Sequence, residues 1–367
     1  MKLTTVTKLI IIMSVVVSVM AILSGAGIIS NSLSSAIQAI VSMLLMLAIL
    51  FSNNKFSYSF IFLFLLSLFI CLINSAPYMI SGTLMITFIY VLRTNVGIDY
   101  NKILKWLAAV VGITFGLIVL ANLLTGRGAN DFEMWRGNGY IFRKSLGFTH
   151  PNVAMQLWLA VVLDFCSIER HKFERVDNFV VGILTYIIYT QTQSRTSTYL
   201  ILLYCVIAFG LGNKIYLRVN RTVSKLVCLL PVAIFTISLC TLFYRYSPLL
   251  NNILSGRLAL YKQFYSMYGI HLLKNPELES AMFDNGYLQA LLAKGIIFTM
   301  QLLYILIMMG WKIKKMRIKD ILIFTMYVLI GFTETSLQHF ELFIPVAILL
   351  ASSVQQGKDA KLQPEIN

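Results

Sequence analysis

Residues 226–286 read LVCLLPVAIFTISLCTLFYRYSPLLNNILSGRLALYKQFYSMYGIHLLKNPELESAMFDNG. The stretch opens as an apolar run that ends near Tyr244. It then turns polar, with Arg245, Ser255-Gly256-Arg257, Lys262, Lys274, Asn275-Pro276-Glu277, Glu279 and Asp284-Asn285-Gly286. A second apolar run follows at once. A run of about 18 residues or more is long enough to cross about 30 Å of hydrocarbon as a helix. In lipid every backbone polar group must be satisfied within its own segment, which selects helix over isolated strand. The interval Tyr244–Gly286 is the longest polar stretch in the chain. It reads as a large loop between two membrane helices.

The same alternation fills the rest of the sequence. The chain has 367 residues and is 58% hydrophobic, with a mean hydropathy of +0.79. That is more apolar side chain than a soluble domain of this length buries while keeping a polar surface. Apolar runs fall at 8–27, 33–51, 56–74, 78–93, 104–124, 151–168, 178–191, 196–212, 226–244, 287–309, 320–336 and 338–354. The reading is an all-α polytopic membrane protein of about 12 transmembrane helices. Ten or eleven stay open, because the fourth, seventh and eighth runs are short and the last two are tightly joined. Residues 1–357 form a single transmembrane domain with outer loops 125–150 and 245–286, and 358–367 form a short cytoplasmic tail. The N-terminus resembles a signal peptide, with Lys2 and Lys8 before an apolar core and Ser24-Gly25-Ala26-Gly27 after it. Its core is long for a cleaved leader and another run follows directly, so it is read as a retained first span.

Orientation follows from Lys and Arg. The net charge is +15. With the N-terminus in the cytoplasm, twenty of the thirty basic residues fall in inside segments, densest in 212–225 and 311–320. This is the expected cytoplasmic bias. It accounts for the basic character without nucleic acid, for which no binding motif is present. The other ten are Arg127, Arg136, Arg143, Lys144, Arg195, Arg245, Arg257, Lys262, Lys274 and Lys294. Basic residues held outside against the bias point to an anionic ligand there, or are simply solvated or paired with lipid headgroups. Cys71, Cys166, Cys205, Cys228 and Cys240 sit in or beside apolar runs, as small hydrophobes with neither disulfide framework nor metal-ligand spacing. No ionisable group lies near the middle of a run and no internal repeat is visible, which weighs against a coupled transporter.

Three outer polar segments carry the candidate chemistry. In 125–150, Pro151 suits the first position of a helix, where its missing N–H costs nothing. His150 or Thr149 then lies at the cap, where the helix end favours an anion. His150 reads equally as a cap without chemistry. The turn Thr190-Gln191-Thr192-Gln193-Ser194-Arg195-Thr196-Ser197-Thr198 surrounds one Arg with amides and hydroxyls, a bed for sugar hydroxyls or for bidentate phosphate contact, or else a solvated turn. In 245–286, Leu254, Leu258, Tyr261, Tyr265 and Tyr268 recur at helical spacing, predicting a helix from about Ser255 to Gly269 that lies along the outer surface. Asp284 precedes the tenth run. It either caps that helix or orients and deprotonates an acceptor hydroxyl.

Leu146-Gly147-Phe148-Thr149-His150-Pro151-Asn152, Gln193-Ser194-Arg195-Thr196, Ser255-Gly256-Arg257 and Asp284-Asn285-Gly286-Tyr287-Leu288-Gln289 with Lys294-Gly295 occur in this order. In order and placement these motifs resemble the Wzy-type polymerases of bacterial O-antigen, capsule and exopolysaccharide, within the O-antigen polymerase/ligase family. The resemblance implies a GT-C-like membrane glycosyltransferase in a bacterial plasma (inner) membrane, multi-pass, with both termini cytoplasmic and its active site on the outer face. It implies that undecaprenyl-diphosphate-linked oligosaccharide repeat units are joined with inversion, without a metal and without a soluble cofactor. A chain-length regulator and a flippase of the same pathway are the implied protein partners, beside membrane lipid. Positive charge must then stabilise the diphosphate leaving group. The candidates are Arg195 and Arg257, then Arg136 and Arg143. Asp284 is the candidate base, with His150 and Glu277 behind it, and Gln193, Ser194, Asn285 and Tyr287 are candidates for sugar contact. The ligase branch tends to carry a His where Asp284-Asn285 stands, which favours a polymerase; His271 and His339 lie on the same side. A ligase passing finished glycan to another acceptor is the alternative, and a flippase or transporter of lipid-linked oligosaccharide is the alternative of another class.

Overall fold

The computed structural model describes residues 3–51, 58–95, 97–126, 131–136, 139–170, 172–243, 247–248, 251, 256–279, 281, 283–313 and 315–362. Among them are fifteen α-helices. They are α1 (Leu3–Gly25), α2 (Asn31–Phe51), α3 (Tyr58–Ile73), α4 (Ser81–Thr94), α5 (Tyr100–Thr125), α6 (Pro151–Ser167), α7 (Glu174–Thr192), α8 (Arg195–Leu211), α9 (Arg221–Cys228), α10 (Leu230–Phe243), α11 (Arg257–Tyr268), α12 (Gly286–Leu292), α13 (Ile296–Trp311), α14 (Ile318–Thr333) and α15 (Phe340–Leu362). Among the described residues each of the twelve apolar runs contains α-helix. Thr5–Gly25, Tyr100–Thr125 and Arg195–Tyr216 are long and apolar enough to cross a membrane by length and composition. The pair α9 and α10, bent by 42°, makes a fourth when taken as one span.

The all-α expectation needs one correction. Within 125–150 a two-stranded antiparallel hairpin forms, β1 (Phe132–Arg136) with β2 (Gly139–Arg143), and Phe132 pairs with Arg143 in its register. Two boundaries also move. The tenth run is broken, because α12 ends at Leu292 and α13 starts at Ile296. Gly295 makes the break with φ +92°, and a Cβ there would lie 2.4 Å from the Leu273 carbonyl. Only glycine fits so close a backbone approach. The last helix continues to Leu362, into the stretch expected to be tail.

α15 and α6 form the centre of the bundle. Every residue from Phe340 to Ala351 is buried. A helix apolar on all sides belongs inside a large core. Around this centre, α3, α5, α7 and α8 turn large apolar side chains outward, among them Phe62, Leu65, Leu117, Leu124, Phe179, Ile183, Leu203 and Val206. Such a continuous apolar exterior requires an apolar surrounding.

At one end of the bundle several charges are buried and paired, while Asp164 of α6, 1% exposed, has no hydrogen-bond partner among the described residues. Arg317 meets Asp320 at 2.8 Å and also contacts Glu169. Ser353 Oγ donates to Asp320 at 2.6 Å. Lys319, 1% exposed, reaches Glu174 at 3.2 Å and donates to the Ile168 carbonyl at 2.9 Å. The sequence reading counts Arg317 and Lys319 among the basic residues of a dense inside turn. In the fold they lock the start of α14 to the α6–α7 turn.

The other end gathers the three polar segments. The Lys144 amide donates to the Gln191 carbonyl at 2.9 Å, and Thr149 N donates to the Gly25 carbonyl at 2.8 Å. These bonds seat the hairpin on the α7–α8 turn and on the end of α1. The polar interval builds a small core of its own from Leu242, Tyr261, Leu278, Phe283, Leu288, Leu291, Leu292 and Ala293. The predicted stripe on α11 is present at Leu258 and Tyr261, with Tyr265 edge-on to Phe243 at 5.3 Å. It packs against protein as well as lying at this end. The helix starts at Arg257, behind Gly256 with φ +84°. Leu254 and Ser255 lie outside the described residues.

Candidate functional site

The site starts from a cap. Asn285, not Asp284, caps α12: its Oδ1 accepts from Tyr287 N and Leu288 N, both at 3.0 Å. Asp284 is released from capping, and its Oδ2 accepts from Arg257 Nε at 3.0 Å. Gly286 brings this corner against the turn after α14. Its N–H donates to the Glu334 carbonyl at 3.1 Å, and a Cβ on it would meet that oxygen at 3.0 Å. Hydropathy places Glu334 inside the eleventh run, but α14 ends at Thr333 and leaves it in the loop.

Glu334 is 6% exposed. It accepts from Gln156 Nε2 of α6 at 2.9 Å. Burial and the neighbouring Asp284 carboxylate push it up to about 7, against the pull of Arg257, Gln156 and Arg143. His150 caps α6 through Nδ1, which accepts from Asn152 N at 3.0 Å. Burial and the Arg143 guanidinium hold its imidazole below the usual range, with Asp284 opposing them. Arg143, His150, Arg257, Asp284 and Glu334 therefore share one electrostatic neighbourhood, drawn from all of β2, the α6 cap, α11, the α12 cap and the α14–α15 turn. A carboxyl titrating near neutrality beside a permanent guanidinium suits proton transfer next to developing negative charge.

A cavity of about 720 Å³ adjoins this cluster. Gln156 is common to both. One wall carries Ser24, Asn31, Ser34, Ser35 and Gln38 from α1 and α2; the other carries Gln289, Lys294, Thr335, Gln338, His339 and Glu341. His339 Nδ1 stands 3.0 Å from Glu341 Oε1, and Lys294 Nζ donates to Gln338 Oε1. Amides and hydroxyls of this number offer both donors and acceptors, which a hydroxyl-rich ligand needs.

The remaining predicted residues are placed differently. Arg143 is 2% exposed. It donates to the Thr192 carbonyl at 2.9 Å and to Asn152 Oδ1 at 2.6 Å, so it staples the hairpin to α6 and the α7–α8 turn while charging the site from behind. Arg195 is exposed on the first turn of α8 and lines neither the cavity nor the cluster. Gln193 takes a left-handed conformation at φ +52° and donates to the Thr190 carbonyl at 3.2 Å, and Ser194 is buried as the N-cap residue of α8. Glu277 is exposed on a short 3-10 turn whose N-cap Asn275 accepts from its N–H. The Arg136 side chain, Arg127 and Arg245 lie outside the described residues.

Two expected sugar contacts are corrected. Asn285 is 2% and Tyr287 1% exposed. Asn285 Nδ2 donates to Ser238 Oγ at 3.1 Å and Tyr287 Oη to the Val328 carbonyl at 3.2 Å. Their polar groups are engaged inside the protein, because the cap and the helix packing behind it need them. Conversely Gln156, Glu334, Gln338 and Glu341 join this region without having been site candidates, beside Lys294, noted as an outer cation, and His339, noted as a histidine of the same side. The grouping of Glu334, His339 and Glu341 at the ends of the last two apolar runs was a usable signal, whereas Gln156 is an ordinary amide in a helix and gave none.

Comparison of the chain with known protein families, with curated proteins and with solved structures gives no match.

Proposed function

We propose that the protein is a polysaccharide polymerase of the Wzy type, a GT-C-like enzyme of about twelve spans acting at the outer face of a bacterial plasma membrane. The observation that carries this reading is the Arg257–Asp284 pair of one polar interval set close to the buried Glu334 of the α14–α15 turn, whose partner Gln156 lines a cavity of amides and hydroxyls. In the reaction, the terminal hydroxyl of one lipid-linked repeat attacks the anomeric carbon of the chain on a second lipid. The bond from that carbon to the diphosphate oxygen breaks, undecaprenyl diphosphate leaves, and the hydroxyl proton passes to a carboxylate. Arg257 stabilises the leaving diphosphate, and Asp284 or Glu334 takes the proton. The cavity holds the incoming sugars.

His339, in the cavity and 3.0 Å from Glu341, favours a second reading, a ligase that uses this imidazole on another acceptor. Cells lacking the protein separate the two. Loss of a polymerase leaves single repeats on the final acceptor, and loss of a ligase leaves long chains on the lipid carrier. The direct test is elongation by purified protein with lipid-linked repeats. Arg195→Ala, Arg257→Ala and Asp284→Ala variants that all elongate like the wild type remove this site. A wild type that moves the lipid across the bilayer without elongating it removes the enzyme reading.

A further inference from the structure

A polymerisation joins two lipid-linked substrates, so two diphosphates must be held, and only one of them leaves. The Arg257 cluster suits the leaving one, since a guanidinium keeps its charge and lies beside the proton-accepting carboxyls. The second diphosphate needs only to be held, at a distance from Glu334 that leaves room for its own sugars.

The far wall of the cavity has such a place. Lys294 and Gln338 line it. Between the cavity and a groove of about 690 Å³ that lies along α3 and α13 is a closed gap too tight for water, which shares Ser81 and Gln338 with the cavity and Gln301 with the groove. Gln301 lines the groove as well and is 5% exposed. Its Nε2 and that of Gln338 are both buried with no hydrogen-bond acceptor among the described residues. Buried donors of this kind are rare and call for an acceptor. Together with the Lys294 ammonium they ask for an anionic, oxygen-rich group. Beyond them the groove is apolar, walled by Phe62, Leu63, Leu66, Ile297, Met300 and Tyr304. From Ile296 to Tyr304 the helix rises by about 12 Å at ~1.5 Å per residue. A cationic and amide-rich end that continues into an apolar trough matches one ligand, an amphiphile with a phosphate head and a hydrocarbon tail.

We propose that Lys294, Gln338 and Gln301 bind the diphosphate of the substrate that keeps its lipid, and that the α3–α13 groove takes the first isoprene units of its tail. The inference rests on the polymerase reading. It adds a second lipid site, separate from Arg257, with the repeat unit lying across the cavity between Lys294 and Glu334.

The experiment is native mass spectrometry of the full chain with undecaprenyl diphosphate as probe, run beside the elongation assay. The wild type is expected to retain two lipids. Met300→Trp and Phe62→Trp fill the groove from opposite walls at positions exposed on the surface (62% and 65%). Each is expected to retain one lipid and to raise the KM of elongation at least tenfold. Lys294→Gln is expected to lose the same lipid, whereas Arg257→Ala loses the other. Two lipids retained by both tryptophan variants overturn the groove. So does equal displacement of the probe by phosphatidylglycerol, which makes the groove a seat for bulk phospholipid. Elongation by the wild type with an unchanged second lipid in the variants leaves the polymerase standing and removes this site. Groove-dependent binding without elongation keeps the lipid site and removes the polymerase.

Discussion

The two ends of the bundle handle charge in opposite ways. At the Arg317 end, Asp320 is fully buried and accepts from Arg317 and Ser353, and Lys319 is enclosed by Glu174, the Ile168 carbonyl and Tyr216. At the Arg257 end, the Arg257–Asp284 pair is a quarter to two-fifths exposed, Glu334 accepts from the Gln156 amide, and Gln301 and Gln338 carry donors with no acceptor among the described residues. Satisfied buried pairs rigidify a structure, and their disruption strands a charge in low dielectric. Under-satisfied polar groups around an open cavity wait for a ligand. The difference separates an end whose buried ion pairs hold helices together from an end whose polar groups border an open cavity.

The largest effect to expect is at the sealed end. Lys319→Met leaves Glu174 buried beside the Tyr216 hydroxyl without its cation, at a cost of about 3–5 kcal/mol. The protein should then express poorly and melt well below the wild type by fluorescence-detected size exclusion. A melt unchanged from wild type would erase the contrast between the two ends. Next in size is Arg257→Ala. It should cut elongation by about 10²–10³-fold, the usual cost of one lost electrostatic stabiliser, with the melting midpoint within a few degrees of wild type, since the pair is solvent-screened. A melt that falls as far as that of Lys319→Met would make the Arg257–Asp284 pair structural.

Glu334 gives a smaller and pH-dependent effect. Its folded value of about 7 lies above the ordinary range of a glutamate. The unfolded chain therefore releases this proton first, and stability is full below about pH 4 and lost as pH rises through 7. Glu334→Gln cannot ionise, so its melting midpoint should gain about 2–4 °C on the wild type between pH 5 and pH 8. Parallel midpoints across that range would show that Glu334 is not held protonated. Smallest is Arg195→Ala. An exposed side chain that lines neither cavity nor cluster should leave the melt unchanged and lower elongation less than Arg257→Ala does. Equal losses for the two would bring the α7–α8 turn into the site.

Much of the site region can be read along the chain because its markers are local. The tilt of Leu258, Tyr261, Tyr265 and Tyr268 to one face follows from helical periodicity alone. Pro151 marks the start of α6 because its ring suits only the first turn. The break at Ala293-Lys294-Gly295 was not read, because its cause is remote. Gly295 bends there to fit the carbonyls of Leu272 and Leu273, which hydropathy cannot see. Asp284 shows the same limit. Asp and Asn side by side both suit a helix cap, and the choice of Asn285 rests on Ser238 behind it and Arg257 in front of Asp284.

By itself the sequence determined that the chain is a set of apolar helices and that its polar segments are 125–150, 190–198 and 244–286. These follow from composition and periodicity, which act over one or two turns of chain. Only the tertiary structure decided which polar residues meet. Gln156, Glu334, Lys294 and His339 are far apart in sequence and ordinary in type. Gln156, Lys294 and His339 line one cavity and Glu334 bonds to Gln156 beside it, because close approach of α6, α12 and the α14–α15 turn, at Gly286 above all, leaves space among them and desolvates Glu334.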